Sequence, residues 1–217
     1  MIERLFPDGV VTAESAGDAL DDVLRPEEAA CVARAVEKRR REFAAGRACA
    51  RRALGRLGLV DVSLPIERDR LPAWPAEIVG SITHCEGYCG VAVARRGDVI
   101  GLGLDAESVA ALDAALVPLV CLPSETDSVR TLEGFTPGEG AKLVFSAKES
   151  AYKCYFPFTH HILEFHDVDV IFEFETPRTG SFVARVRRGP QAPVSRFDGR
   201  FARDDVRVYT GVTLRAS

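Results

Sequence analysis

Apolar positions recur with two different periods along the chain, and these periods predict a mixture of helices and strands. In residues 167–175, apolar side chains alternate with mostly acidic ones, which is typical of a half-buried strand. Two later segments repeat this alternation, and three earlier apolar segments are also typical of strands. The predicted strands are 78–84, 89–95, 99–105, 167–175, 181–187 and 206–214.

The helical period predicts three helices. The first begins at Pro26, breaks or bends near Gly46 and is closed by Gly55 and Gly58. A second helix is expected over about 108–120, a loop over 121–138 and a third helix over 139–155.

The order of these elements indicates two similar halves, because a helix followed by several strands occurs twice. We expect an α+β fold with halves at residues 1–104 and 105–217, each a small, mainly antiparallel sheet packed on helices. The segments 89–95 and 99–105 are separated by a short turn at Arg96, Gly97 and Asp98, which favours a hairpin.

The segment VIGLGLDAE has two different faces. Its apolar side chains lie on one face, and the other face carries Gly101, Gly103, Asp105 and Glu107. Two glycines on one face indicate that a ligand or another backbone approaches closely. Carboxylates at i and i+2 can hold a divalent ion, above all Mg²⁺. The alternative is a solvated strand end with two ordinary surface acids.

Lysine usage points to the helix FSAKESAYK. Only four of the 28 basic residues are lysine, and three of them lie within 142–153. Glu149 and Lys153 are four residues apart and can form an ordinary helix ion pair. The lysine cluster favours instead a site that needs a compact charge or a titratable amine. Glu149 can then complete a metal site with Asp105 and Glu107, or act as a base.

Two further features suit phosphate. In the predicted first helix, Arg39, Phe43, Arg47 and Arg51 are spaced by four and share a stripe, although most of the arginines there must be solvated. His84 ends a predicted strand beside a serine and a threonine, after an apolar ledge at residues 74–75. A single histidine is more often structural than catalytic.

Composition excludes several classes of protein. The chain is 47% hydrophobic and 28% charged, with a net charge of −4, which is ordinary for a globular protein. Neither a basic nucleic-acid arm nor an apolar run of membrane length is present, so we expect a cytoplasmic location. The six cysteines are scattered and lack zinc spacing, so reduced thiols are expected.

The residues alone therefore predict a Mg²⁺-dependent enzyme that acts on a phosphate ester or anhydride. No GxxxxGK[ST] loop is present, and GLGLDA lacks the spacing of a dinucleotide fingerprint. Two alternatives stay open at this point. One is a metal-dependent nuclease or phosphohydrolase that uses the same three acids, and the other is an RNA-binding module centred on the arginine-rich helix.

Four motifs, taken in order, resemble the 4′-phosphopantetheinyl transferases of the Sfp type, in particular the branch of the enterobactin synthetase D component. They are KRRREFAAGRACA (38–50), WPAEIVGSITHC (74–85), GLGLDAE (101–107) and FSAKESAYKCYFP (145–157). The resemblance extends over about residues 26–175. It implies a pseudo-twofold fold of two subdomains, with coenzyme A bound between them.

The resemblance also implies a reaction. A serine of an apo carrier protein would attack the phosphate on the pantetheine side of the coenzyme A diphosphate, and 3′,5′-ADP would leave. Asp105, Glu107 and Glu149 would hold Mg²⁺ with the diphosphate, and Glu149 would deprotonate the serine.

Besides Asp105, six residues would contact coenzyme A by this resemblance. The lysines would neutralise the diphosphate or the departing ADP oxygen, and Lys153 would do so as a catalytic residue. The histidine would contact a phosphate, the serine would line the nucleotide, and the arginines would take the 3′-phosphate or the diphosphate. They are Arg39, Arg47, Ser81, His84, Lys148 and Lys153.

The implied partners are carrier proteins of polyketide, nonribosomal peptide and siderophore synthesis, and of fatty acid synthesis as a further case. The arginine-rich helix and residues 156–158 are candidate docking regions. We expect a monomer without nucleic-acid or membrane partners. Relatives often carry a basic residue just upstream of the Trp74–Pro75 segment, where this chain has Leu71 before Pro72; whether Arg70 takes its place stays open.

Overall fold

Two antiparallel sheets organise the chain, as a computed structural model shows for residues 1–16, 24–97, 99–132, 134–187 and 194–216. The strands are β1 Val11–Ala16, β2 Ile78–Cys85, β3 Tyr88–Arg95, β4 Val99–Ser108, β5 Val168–Thr176, β6 Thr179–Val186, β7 Arg196–Arg203 and β8 Arg207–Arg215. The helices are α1 Pro26–Cys31, α2 Glu37–Arg56, α3 Val117–Val120, α4 Pro123–Val129 and α5 Pro137–Thr159. Short 3₁₀ turns lie at Ile2–Leu5 and Phe165–Asp167.

The first sheet has the strand order β1-β3-β2 and the second the order β4-β8-β7-β6-β5, with antiparallel neighbours throughout. This confirms the predicted α+β fold of two antiparallel sheets packed with helices. The proposed boundary after residue 104 falls inside β4, which pairs with β8 from Val99 to Ser108. The second sheet therefore begins at residue 99.

The predicted hairpin between 89–95 and 99–105 is wrong. Strand β3 pairs with β1 and β2, whereas β4 pairs with β8, so the chain passes from one sheet to the other between them. Of the predicted turn, Asp98 lies outside the described residues. The tight hairpin joins β2 to β3 through Glu86 and Gly87, where Gly87 has φ +63°. Such a positive φ suits glycine in a two-residue turn.

The predicted helices are found in part. The first is two helices, and its interruption lies at residues 32–36 rather than at Gly46, which is buried inside α2. Its predicted end is confirmed by Gly58, whose φ of +82° closes the helix. Among the described residues, none of the helices combines the length and the apolar character needed to cross a bilayer.

The segments between the halves differ more from the prediction. Only Val117–Val120 of the expected helix 108–120 is helical, and the expected loop 121–138 contains α4. Pro118 and Pro123 explain both differences, because proline favours the first turn of a helix and so starts α3 and α4 there. Strands β1 and β7 lie outside the predicted strands.

A core shared by both halves holds them together. Ile2 and Leu5 of the first 3₁₀ turn are buried with Tyr88 of the first sheet and Leu104 and Tyr209 of the second. This N-terminal turn is therefore a wedge between the two sheets, since it packs against strands of each.

Hydroxyl groups connect the sheets where β2 runs beside β4. The Leu104 N–H donates to Ser81 Oγ at 3.0 Å, and the Ala106 N–H donates to Thr83 Oγ1 at 3.1 Å. Both serine and threonine are buried. Side chains of the first half thus satisfy backbone groups of the second, which fixes the position of β4 beside β2.

The glycine face of β4 packs against the backbone of α5. A Cβ added at Gly103 would overlap the carbonyl oxygen of Ser150, and one at Gly101 would lie 2.7 Å from the Phe158 ring. The predicted close approach is confirmed. The approaching group is backbone of α5 at Gly103, and it is side chains of α5, Phe158 and Cys154, at Gly101. The same face continues to Asp105, so the glycines place α5 directly against this carboxylate.

We predict opposite effects for two glycine-to-alanine substitutions. Gly103→Ala should destabilise the protein by about 3 kcal/mol or more, because the added methyl group meets backbone that cannot yield without moving α5. Gly55→Ala should stabilise it by about 0.5–1 kcal/mol, since Gly55 lies in α2 with nothing within 4 Å of an added Cβ. Urea unfolding of both variants measures the difference, and equal effects would contradict the packing account.

Candidate functional site

Helix α5 brings four polar side chains to β4. The helix starts with Thr136 as its cap, and the Glu139 side chain accepts a hydrogen bond from the Thr136 N–H, which completes a capping box. From this fixed start, spacings of three and four residues put one set of side chains on the face toward β4. They are Lys142, Ser146, Glu149 and Lys153.

Asp105 is buried at 4% exposure and is hydrogen-bonded at both carboxylate oxygens. Its Oδ1 accepts from Lys153 Nζ at 2.7 Å and from Thr83 Oγ1 at 3.3 Å, and its Oδ2 accepts from Ser146 Oγ at 2.8 Å. A buried carboxylate needs such partners to stay charged. Asp105 is therefore not the solvated strand end that was the alternative.

Glu107 and Glu149 lie close enough to Asp105 to feel its charge. Burial raises the pKa of the Glu149 carboxyl, and the charges of Asp105 and Glu107 raise it further, while Lys153 lowers it. Burial and Asp105 also raise the pKa of Glu107, against Lys142, whose Nζ lies 3.4 Å from Glu107 Oε2. The three predicted acids thus form one electrostatically coupled cluster with two lysines.

The donor chemistry of this cluster suits Mg²⁺. Magnesium prefers oxygen ligands and commonly takes one or two carboxylates, with water and substrate phosphate in its other positions. Within the described ranges, no three histidine, cysteine, aspartate or glutamate side chains are placed to hold one ion together. Instead, Lys153 and Lys142 pair with Asp105 and Glu107, so these carboxylates would have to exchange a lysine for the metal.

A cavity of about 530 Å³ opens beside Lys153, between the two halves. One wall comes from α2, β2 and the segment before β2, and the other from β4 and the C-terminal part of α5. Its size is typical of a small-molecule site. Its lining includes Arg39, Phe43, Arg47, Arg70, Trp74, Pro75, Ser81, His84, Tyr152, Lys153, Phe156 and His160.

His84 is held uncharged at this cavity. Arg39 Nη1 lies 2.8 Å from His84 Nε2, and a guanidinium only donates, so Nε2 accepts and the ring proton is on Nδ1. Nδ1 faces Glu42, whose Oε2 is 3.9 Å away. Burial lowers the pKa of His84, and the charges of Arg39 and Lys153 lower it further, although Glu42 opposes them.

Arg47 and Ser81 are buried in the cavity wall. Arg47 lies over the Phe43 ring at 3.9 Å and donates to the Leu64 carbonyl at 2.7 Å through Nε. Burial lowers the pKa of Arg47 to about 10, which leaves it charged at neutral pH. Arg51, the last residue of the predicted stripe, lies elsewhere and pairs with Glu28 at 2.7 Å.

Lys148 does not reach the cluster or the cavity lining. Its Nζ donates to Glu125 Oε2 at 2.7 Å and to the carbonyls of Val120 and Phe165 at 2.9 Å each. Lysine and glutamate are both almost completely buried, and Glu125 also accepts from the Val170 N–H. The structure therefore places Lys148 in a buried ion pair that ties α5 to α4 and β5, away from the groups predicted to bind coenzyme A.

Sequence reasoning left three contacts of the site unassigned. Lys142 was noted only as part of the lysine cluster, although its spacing from Ser146 on α5 predicts the same helix face. Arg70 lines the cavity with φ +70°, and the turn that carries it is held to the end of α5 by Asp69, whose Oδ2 lies 2.7 Å from His160 Nδ1. No local pattern indicated this last pair, because its partners lie in different halves.

Comparison with known proteins agrees with the resemblance in the motifs. A model described as the 4′-phosphopantetheinyl transferase N-terminal domain matches residues 27–94, and one for the 4′-phosphopantetheinyl transferase superfamily matches residues 101–203. The chain is 42% identical to 4′-phosphopantetheinyl transferase Svp of Streptomyces mobaraensis, over 100% of this chain and 90% of that protein.

Two more relatives extend the comparison. The 4′-phosphopantetheinyl transferase PptT of Mycobacterium tuberculosis is 38% identical over 87% of this chain and 85% of its own. Enterobactin synthase component D of Escherichia coli is 37% identical over 54% of each chain. The predicted resemblance to the Sfp type is confirmed.

The position of Lys148 predicts a stability effect. Lys148→Met should destabilise the protein by about 3–5 kcal/mol, because it leaves Glu125 buried without its counter-charge. Chemical unfolding measures this loss, and Lys142→Met is the control, since Lys142 Nζ contacts a less buried carboxylate at 3.4 Å. If Lys148→Met kept wild-type stability but lost coenzyme A binding, the assignment of Lys148 to a buried pair would be wrong.

Proposed function

The chain belongs to the 4′-phosphopantetheinyl transferase superfamily, and we propose that it transfers the 4′-phosphopantetheine group of coenzyme A to a serine of apo carrier proteins. The observation that carries this proposal is the cavity between the halves. Its lining includes Arg39, Arg47 and His84 at one side, and Lys153 connects it to the carboxylate of Asp105. Cationic groups that lead to an acidic cluster suit a diphosphate ester.

Coenzyme A would bind with its phosphates toward the cationic groups. Arg39 and Arg47 are placed to take the 3′-phosphate or the diphosphate, as arginine does well. Arg39 would then release His84 Nε2, which becomes free to contact a phosphate. Trp74 and Ser81 line the same cavity and would contact the nucleotide.

The reaction would form one bond and break one bond at phosphorus. The serine oxygen of the carrier attacks the phosphate that bears pantetheine, and the bond from this phosphorus to the oxygen of 3′,5′-ADP breaks. Glu149 would take the serine proton, because its raised pKa makes it a better base than an ordinary glutamate. Lys153 would neutralise the negative charge on the departing oxygen.

Mg²⁺ would be held by Asp105, Glu107 and Glu149, whose side chains would first have to move closer together, and when bound it would neutralise charge on the diphosphate. For this the two carboxylates of β4 exchange their lysine partners. Lys153 lines the cavity and contacts Asp105, so it could turn from the carboxylate to the diphosphate.

The carriers would belong to polyketide or nonribosomal peptide synthesis, or to fatty acid synthesis. Carrier domains of these systems are acidic, so local basic or apolar surface near the cavity would receive them. The N-terminal part of α2 and residues 156–158 of α5 both lie at the cavity. We propose that the enzyme acts as a monomer.

Incubation with coenzyme A, Mg²⁺ and an apo carrier tests the function. Mass spectrometry should show one phosphopantetheine group added to the carrier, and removal of Mg²⁺ by a chelator should stop the addition. Asp105→Ala and Glu149→Gln should each lower the rate at least 100-fold, since both remove groups at the reacting diphosphate.

Glu173→Gln is the matched control, because this exposed glutamate lies on β5, outside the cavity lining and the acidic cluster. Normal transfer by Asp105→Ala or Glu149→Gln would contradict the assigned roles. Hydrolysis of simple phosphate esters without carrier modification would favour the phosphohydrolase instead.

The lowered pKa of His84 predicts a pH effect on binding. The free histidine is neutral, and a nearby phosphate dianion would raise its pKa, so binding takes up a proton. Affinity for 3′,5′-ADP should therefore increase as the pH falls from about 8 to about 6, because the pH then approaches the pKa that His84 has in the protein without ligand.

Calorimetry at several pH values measures this dependence. His84→Gln should not show this increase, because protonation of the ligand's own phosphates at about pH 6 lowers their negative charge and weakens binding to cationic groups. If the affinity of wild type and of His84→Gln depended on pH in the same way, His84 would not contact a phosphate.

A further inference from the structure

Two buried hydroxyl groups stand behind Asp105, on the side away from Lys153. Ser146 on α5 and Thr210 on β8 are both 0% exposed. Thr210 lies directly opposite Asp105 in the pairing of β4 with β8, so both side chains are on the face that α5 covers. Three elements thus bring Ser146, Thr210 and Asp105 together.

The hydroxyl hydrogen of Ser146 has one favoured acceptor, the Asp105 carboxylate. Ser146 Oγ lies 2.8 Å from Asp105 Oδ2 and 2.9 Å from Thr210 Oγ1, but a serine hydroxyl has only one hydrogen. A carboxylate only accepts, and a bond to it is stronger than one between neutral hydroxyls. Ser146 Oγ therefore donates to Asp105. The hydroxyl of Thr210 donates to the Ser146 carbonyl oxygen at 2.8 Å, so Thr210 holds the backbone of Ser146 in place.

The two carboxylate oxygens of Asp105 therefore have different hydrogen-bond partners. Oδ2 accepts the short bond from Ser146, whereas Oδ1 accepts from Lys153, which lines the cavity, and over the longer distance of 3.3 Å from Thr83. A carboxylate held at one oxygen cannot rotate freely. Oδ1 therefore stays directed toward the position where a cation would bind.

We propose that Ser146, supported by Thr210, is a positioning residue that fixes Asp105 so that Oδ1 is presented to a divalent cation. The proposal rests on the proposed function only in that Asp105 is a metal ligand. Hydrogen bonds to a ligating carboxylate commonly contribute 10- to 100-fold to metal affinity, so loss of the hydroxyl should weaken binding by about tenfold.

The chain offers a close control on the same helix. Ser150 is also 0% exposed, but its hydroxyl donates only to the Ala147 carbonyl, at 2.9 Å. Ser150→Ala removes a buried hydroxyl from α5 without touching Asp105. Thr210→Val and Thr210→Ser form a second pair, since valine keeps the volume and loses the hydroxyl, whereas serine keeps the hydroxyl.

The experiment measures binding of Mn²⁺ alone to the full chain, by electron paramagnetic resonance or calorimetry. Ser146→Ala should bind Mn²⁺ about tenfold more weakly than wild type, and Thr210→Val should show a smaller loss. Ser150→Ala and Thr210→Ser should bind as wild type does. In an Asp105→Ala background, Ser146→Ala should have no further effect. Thermal unfolding of each variant confirms that it is folded.

Equal Mn²⁺ affinity of Ser146→Ala and Ser150→Ala would overturn the proposal, as would equal losses in Thr210→Val and Thr210→Ser. A wild-type chain that bound no Mn²⁺ would overturn it together with the metal assignment. Because no carrier and no turnover are involved, failure of the transfer assay would contradict the proposed function while these results still stood.

Discussion

The contact of α5 with the glycine face of β4 is the constraint on which the site depends. Because Gly103 has no side chain, the backbone of α5 comes very close to β4, and Gly101 leaves room for the Phe158 ring of the same helix. With the helix in this position, Lys153 contacts Asp105 and Glu149 lies close enough for the charge of Asp105 to raise its pKa. The missing side chains at Gly101 and Gly103 therefore allow the charged groups of α5 to lie beside Asp105, the next residue on the same face of β4.

Lys148 and Lys153, five residues apart on α5, differ in burial, and this difference decides which of them can change its partner. Lys148 is enclosed with Glu125 and backbone carbonyls, so its charge is fully satisfied within the protein. Lys153 is partly exposed at the cavity and shares Asp105 with neighbouring hydroxyls, so its partner can change. A buried pair resists exchange because separating it would leave a charge without water.

The sequence predicted well those features that are local. Alternation located β5, β6 and β8, and the glycines of β4 correctly indicated close approach. Features that depend on distant partners were missed. The supposed hairpin failed because β4 pairs with a strand about a hundred residues later, and the direction of Lys148 depends on Glu125, in a segment predicted to be a loop. Strand β7 has charged residues on its exposed positions and Gly199 under the Phe182 ring, which weakens its local signal.

The wedge at residues 2–5 limits how far the two halves can be treated as modules. Family models divide the chain between residues 94 and 101, yet Ile2 and Leu5, which precede the segment matched by the first model, pack against Tyr209 of the second half. Either half made as a separate polypeptide would expose this shared apolar surface to water. Chimaeras that exchange one half for that of a relative should therefore carry over the matching wedge as well, so that the interface which shapes the cavity is transplanted intact.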